Sequence, residues 1–412
     1  MKARPHLCRT LAAIIAVTIF CPFISRAQDE GKPSVNFAYD VDFEMDFDNR
    51  ELYRSRFSES MTIFGARLTP SVGISINQKN GTWHKVMLGI DIMKDFGASP
   101  LPPELAPESP GEASSRQNNL SLLREFTLYY GLRKEFGKTS MTLYAGIFPR
   151  RFTDEDRYSR AFFSDSLTFY DNNLEGLLIK FRRPKAQFEI GCDWMGKYGV
   201  SRRERFMIFA SGEGKVAPVL SIGYAAYMYH YACSQLHDGV VDNFLANPYL
   251  RLDFGHLMSM QRFSVRLGYL QSLQQDRLNI GRYVFPCGGE LDIEMRKWDA
   301  GIANSFFYGT DMMPYYNSKD ASGIKYGNIL YMGSPFYRVH DSRQEEPSPG
   351  MYDCLEIYYE PEIGGFLKIK AAALFHFNGS RYSGCQQTVS LKFNLHRLLD
   401  RTLHNRRQTE IF

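Results

Sequence analysis

Between Pro33 and Asp48 apolar and acidic residues alternate with a period of two. Val35, Phe37, Tyr39, Val41, Phe43, Met45 and Phe47 hold the odd positions, and Asn36, Asp40, Asp42, Glu44, Asp46 and Asp48 hold nearly every even one. Successive strand side chains point to opposite faces, so the segment predicts a strand with one apolar and one acidic face. In a soluble sandwich the acidic face would simply be the solvated one, and this strand alone does not separate the cases. The same two-faced pattern recurs. Phe64, Ala66, Leu68, Val72, Ile74 and Ile76 alternate with polar residues, as do Phe126 to Leu132, Phe263 to Tyr269 and Gln387 to Leu395. Less regular runs occupy 83–96, 138–149, 173–182, 186–196, 204–212, 217–232, 247–255, 289–296, 297–308, 350–361 and 364–377. Together they predict about sixteen strands of roughly ten residues, the length with which a tilted strand crosses a bilayer.

The connections point the same way. Tight turns at Gln78 to Gly81, Phe136 to Lys138, Arg183 to Lys185, Gly212 to Gly214, Gly255-His256, Arg296-Lys297 and Pro361 to Gly364 alternate with longer loops, among them Gly97 to Leu120, Arg150 to Asn172 and Tyr308 to Gly350. Barrels of outer membranes use short turns on the periplasmic side and long loops outside. The alternation therefore predicts an even strand number with both ends in the periplasm. The fold class expected is all-β: a transmembrane antiparallel β-barrel with short periplasmic turns and long extracellular loops.

Composition sharpens this. The chain is 14% aromatic, with 25 Tyr and 31 Phe, and carries charge throughout. Beyond its first residues it has no apolar run long enough for a transmembrane helix, so any span must be made of strands. Lys2, Arg4 and Arg9, the apolar stretch Leu11 to Ile24 and Ser25-Arg26-Ala27 read as a signal peptide over 1–27. The barrel is then expected over 28–395, followed by a basic periplasmic tail, 396–412, with apolar residues at helical spacing. The expected location is the cell outer membrane. Cys192, Cys233, Cys287, Cys354 and Cys385 are odd in number and show no close pair, which argues against a metal site and a disulfide framework and leaves a single bridge open. A net charge of +4 is too small to imply nucleic acid. No cofactor is expected.

Carboxylates facing lipid near the midplane would each cost on the order of a few kcal/mol, so the polar faces must point inward. A barrel of about sixteen strands leaves an aqueous channel. The side chains expected to line it are Asp40, Asp42, Glu44, Asp46, Glu290, Asp292 and Glu294 against Arg67, Arg133, Arg251, Arg262, Arg266, Lys368, Lys370 and Lys392. At the closing seam the acids of the first strand are expected to face Lys392 and Lys370. The alternative is that these charges merely solvate the wall or pair structurally. Two loops are candidates for a constriction or lid: one through Arg150, Arg151, Asp154, Asp156 and Arg157, the other, rich in tyrosine, through Tyr315, Tyr316 and Tyr331.

The strand ending Ala145-Gly146-Ile147-Phe148-Pro149-Arg150, the charged loop after it and the strand Tyr170 to Leu178 resemble the strand, inward loop, strand arrangement of Gram-negative porins related to the phosphate- and carboxylate-selective groups. The aromatic, loop-rich style is similar to uncharacterised outer-membrane barrels of Bacteroidota. Such barrels commonly end on an aromatic residue closing the last strand; here Phe393 fills that role and a tail follows. The resemblance implies a porin-like channel for passive diffusion of small hydrophilic solutes or ions, embedded in outer-membrane lipid, and analogy adds a homotrimer. On this reading the protein is not an enzyme. Two alternatives stand beside it. One is a plugged scaffold, adhesin or partner of a surface uptake complex. The other is an outer-membrane hydrolase, for which His237-Asp238 and His340-Asp341-Ser342 supply candidate residues in external loops.

Overall fold

The computed structural model describes residues 33–52, 60–96, 123–278, 281–339 and 349–398. The expected signal peptide, the Pro-rich loop 97–120, the His340 to Ser342 triplet and the tail beyond 398 lie outside the described residues.

The described chain forms sixteen antiparallel barrel strands. The first eight are β1 (Ser34–Leu52), β2 (Met61–Asn77), β3 (Trp83–Asp95), β4 (Leu123–Phe136), β5 (Thr139–Pro149), β6 (Asn173–Arg183), β7 (Ala186–Gly196) and β8 (Arg205–Lys215). The second eight are β9 (Leu220–Tyr231), β10 (Val241–Asp253), β11 (Arg262–Asp276), β12 (Cys287–Lys297), β13 (Ala300–Gly309), β14 (Gly350–Tyr359), β15 (Leu367–Asn378) and β16 (Arg381–Asn394). Each pairs with the next, and β1 pairs with β16, so the sheet closes on itself. Closure leaves no unpaired edge in the hydrocarbon, which is what a sheet needs to span a bilayer.

Alternation fixes the register. Phe43, Met45 and Phe47 stand opposite Phe393, Leu391 and Val389, while Glu44 stands opposite Lys392 and, on its other side, Arg67. A slip of one residue would turn the whole acidic face toward lipid. The outward positions are apolar and open: Phe126 is 62% exposed, Leu267 57% and Val86 52%. Their inward neighbours Thr127, Arg266 and Lys85 are buried.

Some boundaries differ from the sequence reading. Gly212 to Gly214 lies within β8, because its pairing with β7 continues to Ala186 opposite Gly214. The turn that follows is built at residues 216–219. Arg296 and Lys297 end β12, and the turn is Trp298-Asp299, both left-handed with φ of 54° and 62°, the geometry of a two-residue hairpin of primed type. Strand β10 begins at Val241, six residues early, in a stretch whose Asp242, Asn243 and Asn247 mask its strand character. The alternation of long and short connections fails at two places. The inner link expected as a tight turn at Gly255-His256 runs over 254–261 with a helical turn at Gly255–Met258, as long as the outer link 197–204. At β15–β16 the outer link is Gly379-Ser380 alone. Beyond β16, residues 395–398 make one helical turn.

This sidedness has a direct test. Leu267→Arg, at an outward position of β11, is expected to destabilise the barrel by about 2–4 kcal/mol in urea titrations from phospholipid vesicles. Leu267→Ala should cost far less, and equal effects of the two would contradict an outward, lipid-facing Leu267.

Candidate functional site

The lumen is where most charged positions converge. A barrel this wide is not filled by its wall side chains, and here two outer loops enter it. The third outer loop (150–172) descends almost to the periplasmic end. Its Asp154 meets Lys180 Nζ at 2.7 Å, and its Asp154 N–H donates to Glu189 at 3.0 Å. Arg251 and Arg266 of the opposite wall donate to the carbonyls of Asp156 (2.9 Å) and Arg157 (3.0 Å). Burial pushes the Asp154 carboxyl up, but the charges of Lys180, Arg157 and Arg182 outweigh it and hold it below the usual carboxylate range. The loop returns through a short helix, Asp165–Tyr170, capped by Ser164 Oγ accepting from Leu167 N–H.

The seventh outer loop, described over 310–339, folds inward against it. Ser164 N–H donates to Met332 O (2.9 Å) and Ser334 N–H to Arg160 O (2.8 Å). Contact is so close at Gly333 that a Cβ there would lie 2.0 Å from Ala161 O. Phe152, Tyr158, Phe162, Met312, Tyr315, Tyr331, Phe336 and Tyr337 from the loops pack with Tyr129, Tyr144, Phe148, Phe209, Tyr227 and Tyr229 from the wall into one apolar cluster. Asp320 pins the loop's tip. It pairs with Arg203 (2.8 Å), accepts from Tyr231 (2.9 Å) and closes a turn through Ser322 and Ile324 N–H.

What remains of the lumen is a cavity of about 900 Å³ along β14–β16, β1 and β2, lined at one end by Arg397 and Glu362 and at the other by Asp48 and Arg50. Asp42, Glu44, Asp46, Arg67, Arg133, Lys368, Lys370 and Lys392 border it, with Arg151 and Asp154 from the third loop. The charges are largely cross-linked. Lys392 meets Glu44 at 2.6 Å across the seam, Lys370 turns instead to Glu356 (2.6 Å), Lys368 holds Glu360 (2.8 Å), and Arg67 is ion-paired to Asp91 (3.0 Å). Arg151 bridges Asp40 and Asp42.

The other positions expected to line an open channel do not border this cavity. Asp40 is buried beneath Arg151, and Arg251 and Arg266 hold the third loop's backbone. Glu290 accepts from Tyr337 of the seventh loop, while Arg262 pairs with Glu294 (2.8 Å) and Asp292 stands between those two acids on β12. Strand parity tells which residues point inward; it does not tell that the inward space beside them is occupied by a loop. Of the loop candidates, Arg150 is buried and ties Asp171 (2.9 Å) to Asp193 (3.0 Å), Arg157 is buried, Asp156 is exposed, and Tyr315 and Tyr331 sit in the apolar cluster. Tyr316 faces Arg338, 3.9 Å above its ring.

A second arrangement lies on the opposite face of the wall, at the outer rim. His230 and Asp242 are cross-strand partners on β9 and β10. They share the outward parity of Ile222, Tyr224, Phe244 and Leu250, all exposed apolar or aromatic residues. His230 Nδ1 lies 3.2 Å from Asp242 Oδ1, and Arg277 donates from Nε (2.8 Å) and Nη2 (2.6 Å) to Asp242 Oδ2. A carboxylate only accepts, so Nδ1 carries the proton in the neutral ring and Nε2 is the basic nitrogen. Phe206 packs beside the imidazole, its centroid 5.1 Å away, and is itself stacked on Trp194 at 5.3 Å. Sequence reasoning missed this pair because its members are joined by register rather than by adjacency. The available signal was polar residues at lipid-facing positions of two consecutive strands. His237 and Asp238, singled out instead, close the loop between those strands: the His237 N–H donates to Ser234 Oγ (3.1 Å) and the Asp238 carbonyl accepts from Arg203 (3.2 Å).

Among solved structures the chain is similar to Acinetobacter baumannii OccAB3 (10% identity, TM-score 0.44, covering 87% of this chain and 99% of that one). It is also similar to Pseudomonas aeruginosa OccD3 (8%, 0.45, 90% and 94%) and Pseudomonas putida OprB (8%, 0.45, 87% and 94%). No curated protein matches. A family model, Lipid A 3'-O-deacylase-type, matches residues 36–399. That family is named for an enzyme, which overturns the expectation that the protein is not one. With the match running from the first strand past the last, this outer-membrane β-barrel belongs to the Lipid A 3'-O-deacylase-type family.

Proposed function

We propose that this protein hydrolyses an acyl ester of an outer-leaflet glycolipid, with His230 as general base and Asp242 as the group that orients it. The observation that carries the reading is the His230–Asp242 pair on the lipid-facing rim of a chain from a deacylase-type family. Its position suits the substrate. An ester joining a sugar to an acyl chain sits where headgroup meets hydrocarbon, the level of the strand ends, and aromatic side chains such as Trp194 and Phe206 favour the same depth. Nε2 takes a proton from water as the oxygen attacks the ester carbonyl, and the imidazolium returns it to the departing alkoxide. A free carboxylic acid and a sugar hydroxyl result. Asp242, fixed by Arg277, holds the ring orientation and stabilises the transient positive charge.

General base catalysis contributes typically 10²–10⁴-fold. His230→Gln is therefore expected to reduce ester hydrolysis by about 10²-fold or more in mass spectra of outer-membrane glycolipid, with the barrel still folded by its heat-modifiable migration. Wild-type product levels from a folded His230→Gln protein would remove the proposal.

A second reading concerns the lumen. The cavity of about 900 Å³ bordered by charges of both signs supports a restricted conduit for small hydrophilic solutes or ions beside the third loop, against which the seventh loop is docked. Its bore depends on that loop staying docked. Burial pushes the Asp320 carboxyl up, but hydrogen bonds from Ser322, Tyr231 and Ile324 N–H and the charge of Arg203 outweigh it, holding it below its ordinary value. A depressed carboxyl contributes stability that is fully present above its unfolded pKa, about 3.9, and is lost as pH falls through the lower folded value. Planar-bilayer conductance is accordingly expected to stay flat from about pH 8 to about pH 5. Asp320→Asn should raise it at neutral pH, and unchanged current in that variant would argue against the loop as the restriction.

A further inference from the structure

We propose that the inner end of the barrel wall along β4–β7 binds the phosphate of an anionic phospholipid in the inner leaflet of the outer membrane. The site lies on the lipid-facing side of the periplasmic rim, and it rests neither on the His230–Asp242 pair nor on the conduit along the seam.

Strand parity places the parts. On β6 Leu178 is buried, and Lys180 and Arg182 turn inward to Asp154 of the third loop. The odd residues Leu177, Ile179, Phe181 and Arg183 therefore face lipid. On β4 the exposed Phe126 and Leu128 put Lys134 and Phe136 on the same outward face. Each strand carries its apolar belt down to a cation. Lys134 follows Leu132 by two positions, which lowers it by about 5 Å at ~3.3 Å per residue and the usual strand tilt. That step leads from acyl chains to headgroups.

Arg183 is the centre of the site. Its Nε donates to Thr139 Oγ1 at 2.7 Å, which holds the guanidinium plane and leaves both Nη groups without a partner among the described residues. Two parallel N–H donors on a fixed fork are what bidentate binding of a phosphate requires. Lys138 adjoins Thr139, Lys185 sits two residues beyond Arg183, and Lys134 lies 4.8 Å over the Phe136 ring. None of these four cations has a carboxylate partner among the described residues, and the acid at the two hairpin tips, Glu135, is taken by Arg133 (2.9 Å). Beside them Phe181 and Phe188 stack with centroids 6.3 Å apart, an aromatic pair of the kind that marks the membrane–water interface. Across the barrel the inner rim neutralises itself: Arg262 pairs with Glu294, and Arg296 and Lys368 both with Glu360. The excess positive charge is therefore one-sided, directly beneath a wall that hydrocarbon must cover. A zwitterionic headgroup would bring a cation of its own into this crowd, so four uncompensated cations favour a headgroup of net negative charge.

Native mass spectrometry of the full-length folded protein, released from detergent micelles containing dioleoyl phosphatidylglycerol or dioleoyl phosphatidylcholine, tests this. The anionic lipid is expected to be retained at least about tenfold more tightly than the zwitterionic one. Arg183→Gln should weaken that retention about fivefold, the effect of one cation at an anionic lipid surface, and Arg183→Gln with Lys138→Gln should weaken it further. Both side chains are exposed, so heat-modifiable migration should show the variants folded. Lys297→Gln, an exposed cation on the other half of the rim, should retain the lipid as the wild type does, and so should His230→Gln. Equal retention of the two lipids, wild-type retention by the folded double variant, or an equal loss in Lys297→Gln would each overturn the assignment. Displacement of the lipid by millimolar inorganic phosphate would overturn it too, by showing a site for the free anion instead.

Discussion

The pairing of β1 with β16 is the contact on which everything else depends. Inside a bilayer no water satisfies an open strand edge, and each orphaned backbone group costs several kcal/mol. Eleven residue pairs from Asp42–Asn394 to Leu52–Gly384 close that edge. The same register sets the sidedness of the molecule, since it places Phe43, Met45 and Phe47 beside the apolar residues of β16 and brings Glu44 to Lys392. Closure with inverted faces would expose the acidic ladder of β1 to hydrocarbon. The acids and the phenylalanines of one strand therefore act together: one set defines the outside by being apolar, the other forbids the alternative.

Closing sixteen strands creates a new problem, a lumen wider than the wall side chains can fill. The chain answers with its own loops. They enter a space lined by charge, so their backbone carbonyls and acids find donors in Arg251, Arg266, Lys180 and Arg203, and their aromatic residues find Tyr129, Tyr227, Phe209 and Phe307. Buried ion pairs are costly to break and weak sources of net stability. Their value here is positional, because each fixes where a loop segment crosses the barrel. Apolar packing around Phe162, Tyr331 and Phe336 supplies the burial that holds the two loops against each other.

This division explains what the sequence could tell. Strand number, sidedness and nearly all the strand positions were legible, because period-two alternation is a local signal and repeats sixteen times. The errors fell where local signals compete: glycines at Gly212 and Gly214 resemble a turn yet sit in β8, and polar Asp242, Asn243 and Asn247 hid the start of β10. The filled lumen was less legible. Whether Arg266 faces water or a loop carbonyl depends on the path of residues more than a hundred positions away, and no pattern around Arg266 records it. The enzymatic character of the family was not legible from catalytic spacing either, since His230 and Asp242 meet only through the hairpin register.

The plug and the rim pair are then linked through one stretch of wall. Strand β9 ends Tyr229-His230-Tyr231, with alternating directions. Tyr229 and Tyr231 point inward and donate to Ile329 O (2.8 Å) and Asp320 (2.9 Å) of the seventh loop; His230, between them, points outward to Asp242. On β10 the inward Asn243, beside Asp242, lies 3.4 Å from Leu330 O. The loop inside the barrel thus immobilises the residues flanking both members of the pair outside it. Strand ends are otherwise the parts of a barrel most prone to fraying, and an imidazole held by a single carboxylate at such an end would lose its orientation with the strand. A general base has to stay within tenths of an ångström of its working position. On this argument the loops that enter the lumen also support the rim beside the conduit they leave, and the hydrolytic reading draws on the interior packing as directly as on the residues that would touch the substrate.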